Sequence, residues 1–403
     1  MTSLSCDTIA AIATPHGNGG VGIVRISGKK SLPIAQKLMT EKIALVPRHA
    51  TLVTLNLGKV RDTSIAIYFK SPNSFTGEDI LELQCHGGMM LVDKVLDTVI
   101  TNGARLASPG EFTRRALMNG KITLTGAESL IDTIHAESEA ELEASDLTCG
   151  ELHQKMIAVE KELVNISAQV FAALDHPEEV PVPNIAPRLK QFIKTLKQFT
   201  DNARTSSYIY NGIRVAILGE PNVGKSSLFN ALLGSSRSIV TEIPGTTTDT
   251  VSETVQIEGY KVRFVDTAGI RESENKIEKL GIERTRQAAL DCDIALVFDD
   301  TALDLVKGKP FIRVTRTTNI EHVKKQIIQM TVGKFKSRSV ANARQLNELS
   351  LALRALENAL KQSMPDVIAS DIQTALFHLG NITGTNTSEA VLDEIFSRFC
   401  LGK

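Results

Sequence analysis

The chain has 403 residues, 42% of them apolar, with 45 Lys and Arg against 46 Asp and Glu. That length suits two or three domains with cores of their own. A formal net charge of −1 excludes the broadly basic surface of a general nucleic-acid binder, so any RNA contact is expected from a local patch.

The start, MTSLSCDTIAAIATPHG, lacks the basic end and long apolar core of a secretory signal. Residues 8–118 read as mixed α and β. DTIAAIATP and GGVGIVRISG are expected strands, followed by a helix with Leu32, Ile34, Ala35 and Leu38 inward. SIAIYFK alternates as a strand, PNSFTG is a turn before DILELQCHGG, and residues 89–100 have helical spacing. From 128 to 174 Gly and Pro nearly vanish, and Leu152, Met156, Val159, Leu163, Ile166 and Val170 step by fours and threes, a bundle seam. DHPEEVPVPN breaks it. Leu189, Phe192, Ile193, Leu196 and Phe199 then predict a second amphipathic helix ending near Ser207.

Residues 213–227 read IRVAILGEPNVGKSS. An apolar strand, the G-x-x-x-x-G-K-S spacing and an amphipathic run (Leu228, Phe229, Leu232, Leu233) form a phosphate-binding loop in its required context. Glycines let backbone N–H groups converge on phosphate oxygens, and the helix adds its positive end. Lys225 is expected on the β- and γ-phosphates and the Ser226 hydroxyl on Mg²⁺. TEIPGTTTD offers switch threonines, and KVRFVDTAG is a strand ending in the D-x-x-G of Asp266 to Gly269. Asp266 is expected to act on Mg²⁺ through water, and the Gly269 amide to sense a γ-phosphate. Ras-type GTPases follow D-x-x-G with a water-orienting glutamine; here the residue is Ile270. Arg271, Glu272, Glu274 and Glu278 are the polar candidates, against the reading of each as a solvated switch-region charge, the more usual fate of a lone Glu. Residues 294–298 are the next buried strand.

After Gly333 helical stripes resume, with Leu346, Leu349, Leu353, Leu356 and Leu360 on one face and Ile368, Ile372, Leu376 and Leu379 on another. One helical domain split by an inserted nucleotide domain is expected. The five cysteines (Cys6, Cys85, Cys149, Cys292, Cys400) are scattered without a C-x-x-C pair, which argues against a zinc knuckle or disulfide framework and for a reducing compartment. No run approaches ~18 apolar residues, so a cytoplasmic protein without a membrane partner is expected.

GEPNVGKSS, IVTEIPGTTTD, VDTAGIRES, KIEKLGIER and the terminal EIFSRFCLGK resemble the MnmE (TrmE) family of tRNA modification GTPases. TIAAIATPHGNGGVGIVRISG, PNSFTGEDILELQCHGG and SPGEFTRRALMNGKITLTGAESLIDTI are similar to its N-terminal domain and first helix. The resemblance covers nearly the whole chain. It implies a multidomain α+β and α/β protein: an N-terminal α+β folate-binding-like and dimerisation domain (1–118), a split helical bundle (119–211 and 334–403) and an inserted P-loop, Ras-like G domain (212–333).

It further implies GTP and GDP as ligands, a homodimer, and a heterotetramer with an MnmG-like FAD- and NADH-dependent protein. Together these place an aminomethyl or carboxymethylaminomethyl group on carbon 5 of the wobble uridine of certain tRNAs. A tetrahydrofolate derivative (5-formyl- or 5,10-methylene-tetrahydrofolate) maps to Arg25, Glu82, Lys121 and Lys403. The nucleotide maps to Asn222, Val223, Gly224, Lys225, Ser226 and Ser227, to Thr241, Glu242, Ile243, Thr246 and Thr247, and to Asp266, Thr267, Ala268 and Gly269. Mg²⁺ falls on Ser226 and Thr247, and K⁺, in place of an arginine finger, on Asn222, Thr241, Ile243 and Thr246. The water-positioning glutamate is Glu278 and the switch arginine Arg271. Cys400 carries either a covalent or a positional role.

Three departures stand out. Guanine is normally read by N-K-x-D; here VTRTTNIEH puts Arg316, Thr317 and Asn319 at the Asn, Lys and Asp positions. Asparagine offers one acceptor where a carboxylate offers two, a loss of ~1.5–3 kcal/mol. The next strand and its S-A-K loop are missing, and the first switch has Thr248 for an arginine. Phosphate and Mg²⁺ binding are therefore expected to survive while base discrimination weakens. The alternatives are a folate- and tRNA-binding scaffold with a degenerate G domain, and a ribosome-assembly GTPase, against which both chain ends argue.

Overall fold

A computed structural model describes residues 7–181, 183–220, 222–234, 252–265, 286–306, 308–333 and 341–402. The chain forms two compact units, Met1–Ile131 with Gly384–Lys403, and Asp132–Thr383. The last twenty residues thus belong with the N-terminal unit, not with the helices that precede them in sequence.

The first unit is built on a sheet of β1 (Ile9–Ile12), β2 (Val21–Ser27), β3 (Ala50–Asn56), β4 (Arg61–Phe69), β5 (Ile80–His86) and β6 (Arg105–Leu106), in the order β3-β4-β5-β2-β1-β6. Pairing is antiparallel except between β1 and β6. In β2 and β5 alternate residues face opposite ways. Val24, Ile26, Leu81 and Leu83 are buried with Ile34 and Leu38 of helix Ser31–Leu38 and Val95 and Val99 of helix Met89–Thr101. The opposite face carries Ile9 and Ala11, packed with Ala107 and with Phe112 of helix Glu111–Met118.

The chain's end is fitted to this second face. Helix Glu389–Ser397 lies on helix Glu111–Met118, where Gly110 (φ 68°) leaves room: a Cβ there would stand 2.6 Å from the Phe396 carbonyl. At Gly402 (φ 95°) a Cβ would stand 2.1 Å from the Ile12 carbonyl. Only glycine allows that approach.

In the second unit, helices His153–Asp175, Ala186–Thr200, Ala343–Lys361 and Pro365–Thr383 share one core. Leu152, Met156, Val159, Leu163, Ile166 and Val170 are all buried, as the seam predicts, beside Leu356, Ile372 and Leu379 from the far side of the nucleotide segment. Residues 128–174 are not one helical run, however. Helices Leu124–His135 and Glu139–Leu147 are separated where the Ser138 hydroxyl accepts the Glu141 N–H (3.3 Å) and the Glu141 carboxylate the Glu137 N–H (2.5 Å), and a π turn, Thr148–Leu152, follows. The side chains satisfy the freed amides, so neither Gly nor Pro is needed to break the helix.

Between the two halves of the bundle lies a sheet of β7 (Ile213–Leu218), β8 (Ser252–Ile257), β9 (Tyr260–Val265), β10 (Ile294–Val297) and β11 (Phe311–Arg313), ordered β11-β10-β7-β9-β8. All its pairs are parallel except β8–β9. Helices Lys225–Gly234 and Ile320–Thr331 cover one face with Leu228, Leu232, Val323 and Ile327. The other is packed by Ala288, Ala289, Cys292, Ala302 and Val306. The chain passes from β11 to helix Ile320–Thr331 with no strand between. The β8–β9 hairpin rests on the helical part of its unit: Lys261, almost fully buried, is held by Glu137 (2.9 Å) and Glu141 (2.8 Å), and the Gly259 carbonyl accepts the Ala140 N–H (3.0 Å).

Candidate functional sites

Strand β7 is buried and ends at Gly219, from which the phosphate loop runs into helix Lys225–Gly234. Gly219, Asn222 and Gly224 have φ of 152°, 64° and 117°. Asparagine is among the few side-chain-bearing residues that tolerate the left-handed region, so Asn222 fits its turn. Left-handed residues within a short loop let successive amides converge. The donor chemistry therefore fits a chain of phosphates. Lys225 is half-buried, and its ammonium donates to the Gly219 and Glu220 carbonyls of its own loop (both 2.8 Å). Ser226 and Ser227, in the first helical turn, are exposed. The residue expected on Mg²⁺ is thus open to solvent.

Two further residues brace this loop: Asp299, which the sequence did not single out, and Arg316, expected on the base side of the pocket. Asp299, two residues beyond β10, accepts the Glu220 N–H at 2.7 Å. Its burial pushes the carboxyl up, but hydrogen bonds from the Thr301 hydroxyl and backbone amides outweigh this and hold it below the usual carboxylate range. A carboxylate just past the carboxyl end of a parallel strand was the available signal, since such sheets bind ligands there. Arg316 donates from Nε to the Val223 carbonyl (3.0 Å) and from a terminal nitrogen to the Asn222 carbonyl. Asn319, read as the base-facing residue, caps helix Ile320–Thr331 by accepting the His322 N–H (3.2 Å). Its side-chain acceptor is engaged in the fold. Thr241, Glu242, Ile243, Thr246, Thr247, Asp266, Thr267, Ala268, Gly269, Arg271 and Glu278 lie outside the described residues, at the ends of the β8–β9 hairpin and beyond it in sequence.

On the second face of the antiparallel sheet, Arg25 of β2 is opposite Glu82 of β5. They pair through Nε and a terminal nitrogen, both at 2.9 Å, with side chains 23% and 14% exposed. Arg25 also reaches the Gly402 carbonyl (3.3 Å) and lies 5.9 Å from the Phe112 ring centroid. Lys121 lies beside the turn that carries Gly77. The adjoining Asn119 amide holds the Thr76 carbonyl (2.7 Å), while the Thr76 hydroxyl meets that of Ser27, on the same face of β2 as Arg25 (2.8 Å). Lys403 lies outside the described residues, one position beyond Gly402.

Of the free thiols described, Cys85 is buried and pushed up to about 11, mainly by that burial, and Cys292 is raised for the same reason; Cys400 is exposed. A cavity of about 290 Å³ in the first unit, between loop 14–19 and helix Met89–Thr101, takes in neither Arg25 nor Glu82. No described helix is long and apolar enough to cross a membrane.

The family described as "GTP-binding protein TrmE N-terminus" matches residues 8–121, and the "MnmE helical domain" residues 124–400. Proteins named tRNA modification GTPase MnmE are similar throughout. That of Carboxydothermus hydrogenoformans is 35% identical over 460 residues, covering 98% of this chain and 99% of the relative. That of Acetivibrio thermocellus is 36% identical over 459, with 98% and 99% covered, and that of Thermotoga maritima 36% over 449, with 98% and 100%. These spans exceed the 403 residues here, so the relatives carry stretches without a counterpart in this chain. With the phosphate loop on its parallel sheet, the split bundle around it and this full-length similarity, the chain belongs to the MnmE family of tRNA modification GTPases.

Proposed function

We propose that this protein hydrolyses GTP and uses the cycle to drive tRNA wobble-uridine modification in the cytoplasm. The reading has it work as a homodimer, in a heterotetramer with an MnmG-like FAD- and NADH-dependent protein, adding an aminomethyl or carboxymethylaminomethyl group at C5. The observation that carries it is the phosphate loop with Lys225 at the start of its helix, within a chain related over its full length to proteins of that name. In this reading the loop amides and Lys225 hold the phosphates. Ser226 and Thr247 would hold Mg²⁺, which would supply neutralisation of phosphate charge. Asn222, Thr241, Ile243 and Thr246 would hold K⁺, which would supply positive charge against the negative charge that develops in transfer. Glu278 orients the attacking water and Arg271 supports the switch.

Arg25, Glu82, Lys121 and Lys403 bind the tetrahydrofolate derivative. Glu82 suits the donor edge of a pterin, while the basic groups suit its carbonyl and glutamate tail. In binding, Glu82 exchanges Arg25 for the ligand. Cys400, exposed beside this end of the chain, serves in positioning or covalently.

The second reading, a folate- and tRNA-binding scaffold with a weak nucleotide sensor, is favoured by one observation: Asn319 is committed to a helix cap. Phosphate release from GTP separates the two. Turnover in K⁺ that falls in Na⁺ supports the enzyme, whereas retained 5-formyl-tetrahydrofolate binding without turnover in K⁺ supports the scaffold.

A further inference from the structure

Arg316 sits on the turn after β11, an edge strand separated from β7 by β10. Its side chain nevertheless crosses to the phosphate loop. Nε and a terminal nitrogen donate to two successive carbonyls, of Val223 and Asn222. The stem lies flat on Gly224, where a Cβ would meet its Cγ at 3.0 Å. Gly224 therefore provides room for Arg316 as well as its own φ of 117°. The turn keeps its other polar groups to itself: the Thr318 hydroxyl accepts the Thr315 N–H (2.7 Å), and Asn319 caps the helix.

The consequence follows from peptide geometry. A trans peptide points its C=O and N–H in opposite directions. The Asn222 carbonyl shares a peptide with the Val223 N–H, and the Val223 carbonyl with the Gly224 N–H. A guanidinium on both carbonyls polarises both units and fixes their N–H groups away from itself. Those amides are ones a phosphate-binding loop turns toward its anion.

We infer that Arg316 is a positioning residue for the nucleotide phosphates: it presets the Val223 and Gly224 amides from behind and does not read the base. This rests on the nucleotide-binding role proposed above. It makes a specific demand, that Arg316 contribute equally to every ligand carrying the same phosphates.

The test is calorimetric titration of the full chain with GTP, ATP and pyrophosphate, each with Mg²⁺, for wild type, Arg316→Gln and Arg316→Lys. Loss of two hydrogen bonds from an exposed charged donor predicts affinities about tenfold weaker in Arg316→Gln for all three ligands. The GTP-to-ATP ratio stays unchanged, and Arg316→Lys recovers only part of the loss, because an ammonium keeps the charge but cannot fork to two carbonyls. In hydrolysis the same variant raises KM with kcat nearly constant. Thermal unfolding like that of the wild type confirms the fold. Unchanged affinity for all three ligands overturns the inference, as does weakening confined to GTP with pyrophosphate unaffected, which makes Arg316 a base reader. A wild type that binds none of the three sinks the phosphate-loop reading itself, and the inference with it.

Discussion

In the antiparallel sheet, Arg25 and Glu82 meet because β2 and β5 pair without a break from Val21–His86 to Ser27–Ile80. In the parallel sheet, Gly219, Glu220, Val223, Lys225, Asp299 and Arg316 all lie past strand ends and are tied to one another. The first site is a pair of side chains whose places are set by strand register. The second is mostly main chain, set by left-handed residues and by side chains that bind the loop's amides and carbonyls from outside. In the proposed sites, recognition would rest on side chains in the first and on backbone in the second, so substitutions should act on them differently.

The largest effect is expected at Lys225. Lys225→Ala removes the only charged side chain in the loop's G-K-S end. It should weaken GTP binding by about two decades, the upper range for hydrogen bonds to a charged group, while 5-formyl-tetrahydrofolate binding stays within twofold in calorimetry, on the order of measurement error. A parallel loss of folate affinity would break the separation of the two sites.

Gly402→Ala tests the other side. Its Cβ cannot fit 2.1 Å from the Ile12 carbonyl at φ 95°, so the tail must lift off, at a cost of about 1–3 kcal/mol. Thermal unfolding should show the loss, and GTP affinity should not. Arg25→Ala should cost about tenfold in folate affinity, a single charge-assisted contact, with GTP affinity unchanged; intact folate binding would remove Arg25 from the site.

The smallest effect is a pH dependence. Because Asp299 is held below the usual carboxylate range, its tie to the Glu220 amide is complete above the ordinary value of ~3.9 and is lost as pH falls through the lower folded value. Acid titration of wild type and Asp299→Ala should show the variant less stable near neutrality, with the difference closing toward acid pH.

Much of this was legible beforehand because periodicity reports burial. The seam from Leu152 to Val170 and the stripe from Leu189 to Phe199 are core residues, and the phosphate loop follows its strand and opens its helix where the glycines indicated. What escaped was set by tertiary context. Strand β3 has a weak alternation and is fixed by pairing with β4. The helix break at Ser138 uses side-chain capping without Gly or Pro. The role of Arg316 depends on a contact spanning 93 and 94 positions of sequence, which no local pattern carries. Reading Asn319 by its spacing missed that a helix starting at Ile320 needs its cap.

The central claim is that a triphosphate is gripped by backbone amides and Lys225 although no carboxylate is present in the turn that follows β11. Titration of the purified chain with GTP and with ATP, each with Mg²⁺, tests it most directly. The account predicts that both bind, with affinities within about tenfold of each other once the bidentate base contact is gone. Absence of heat with either nucleotide, or GTP binding with ATP excluded by a thousandfold or more, on the order of 4 kcal/mol, would contradict it.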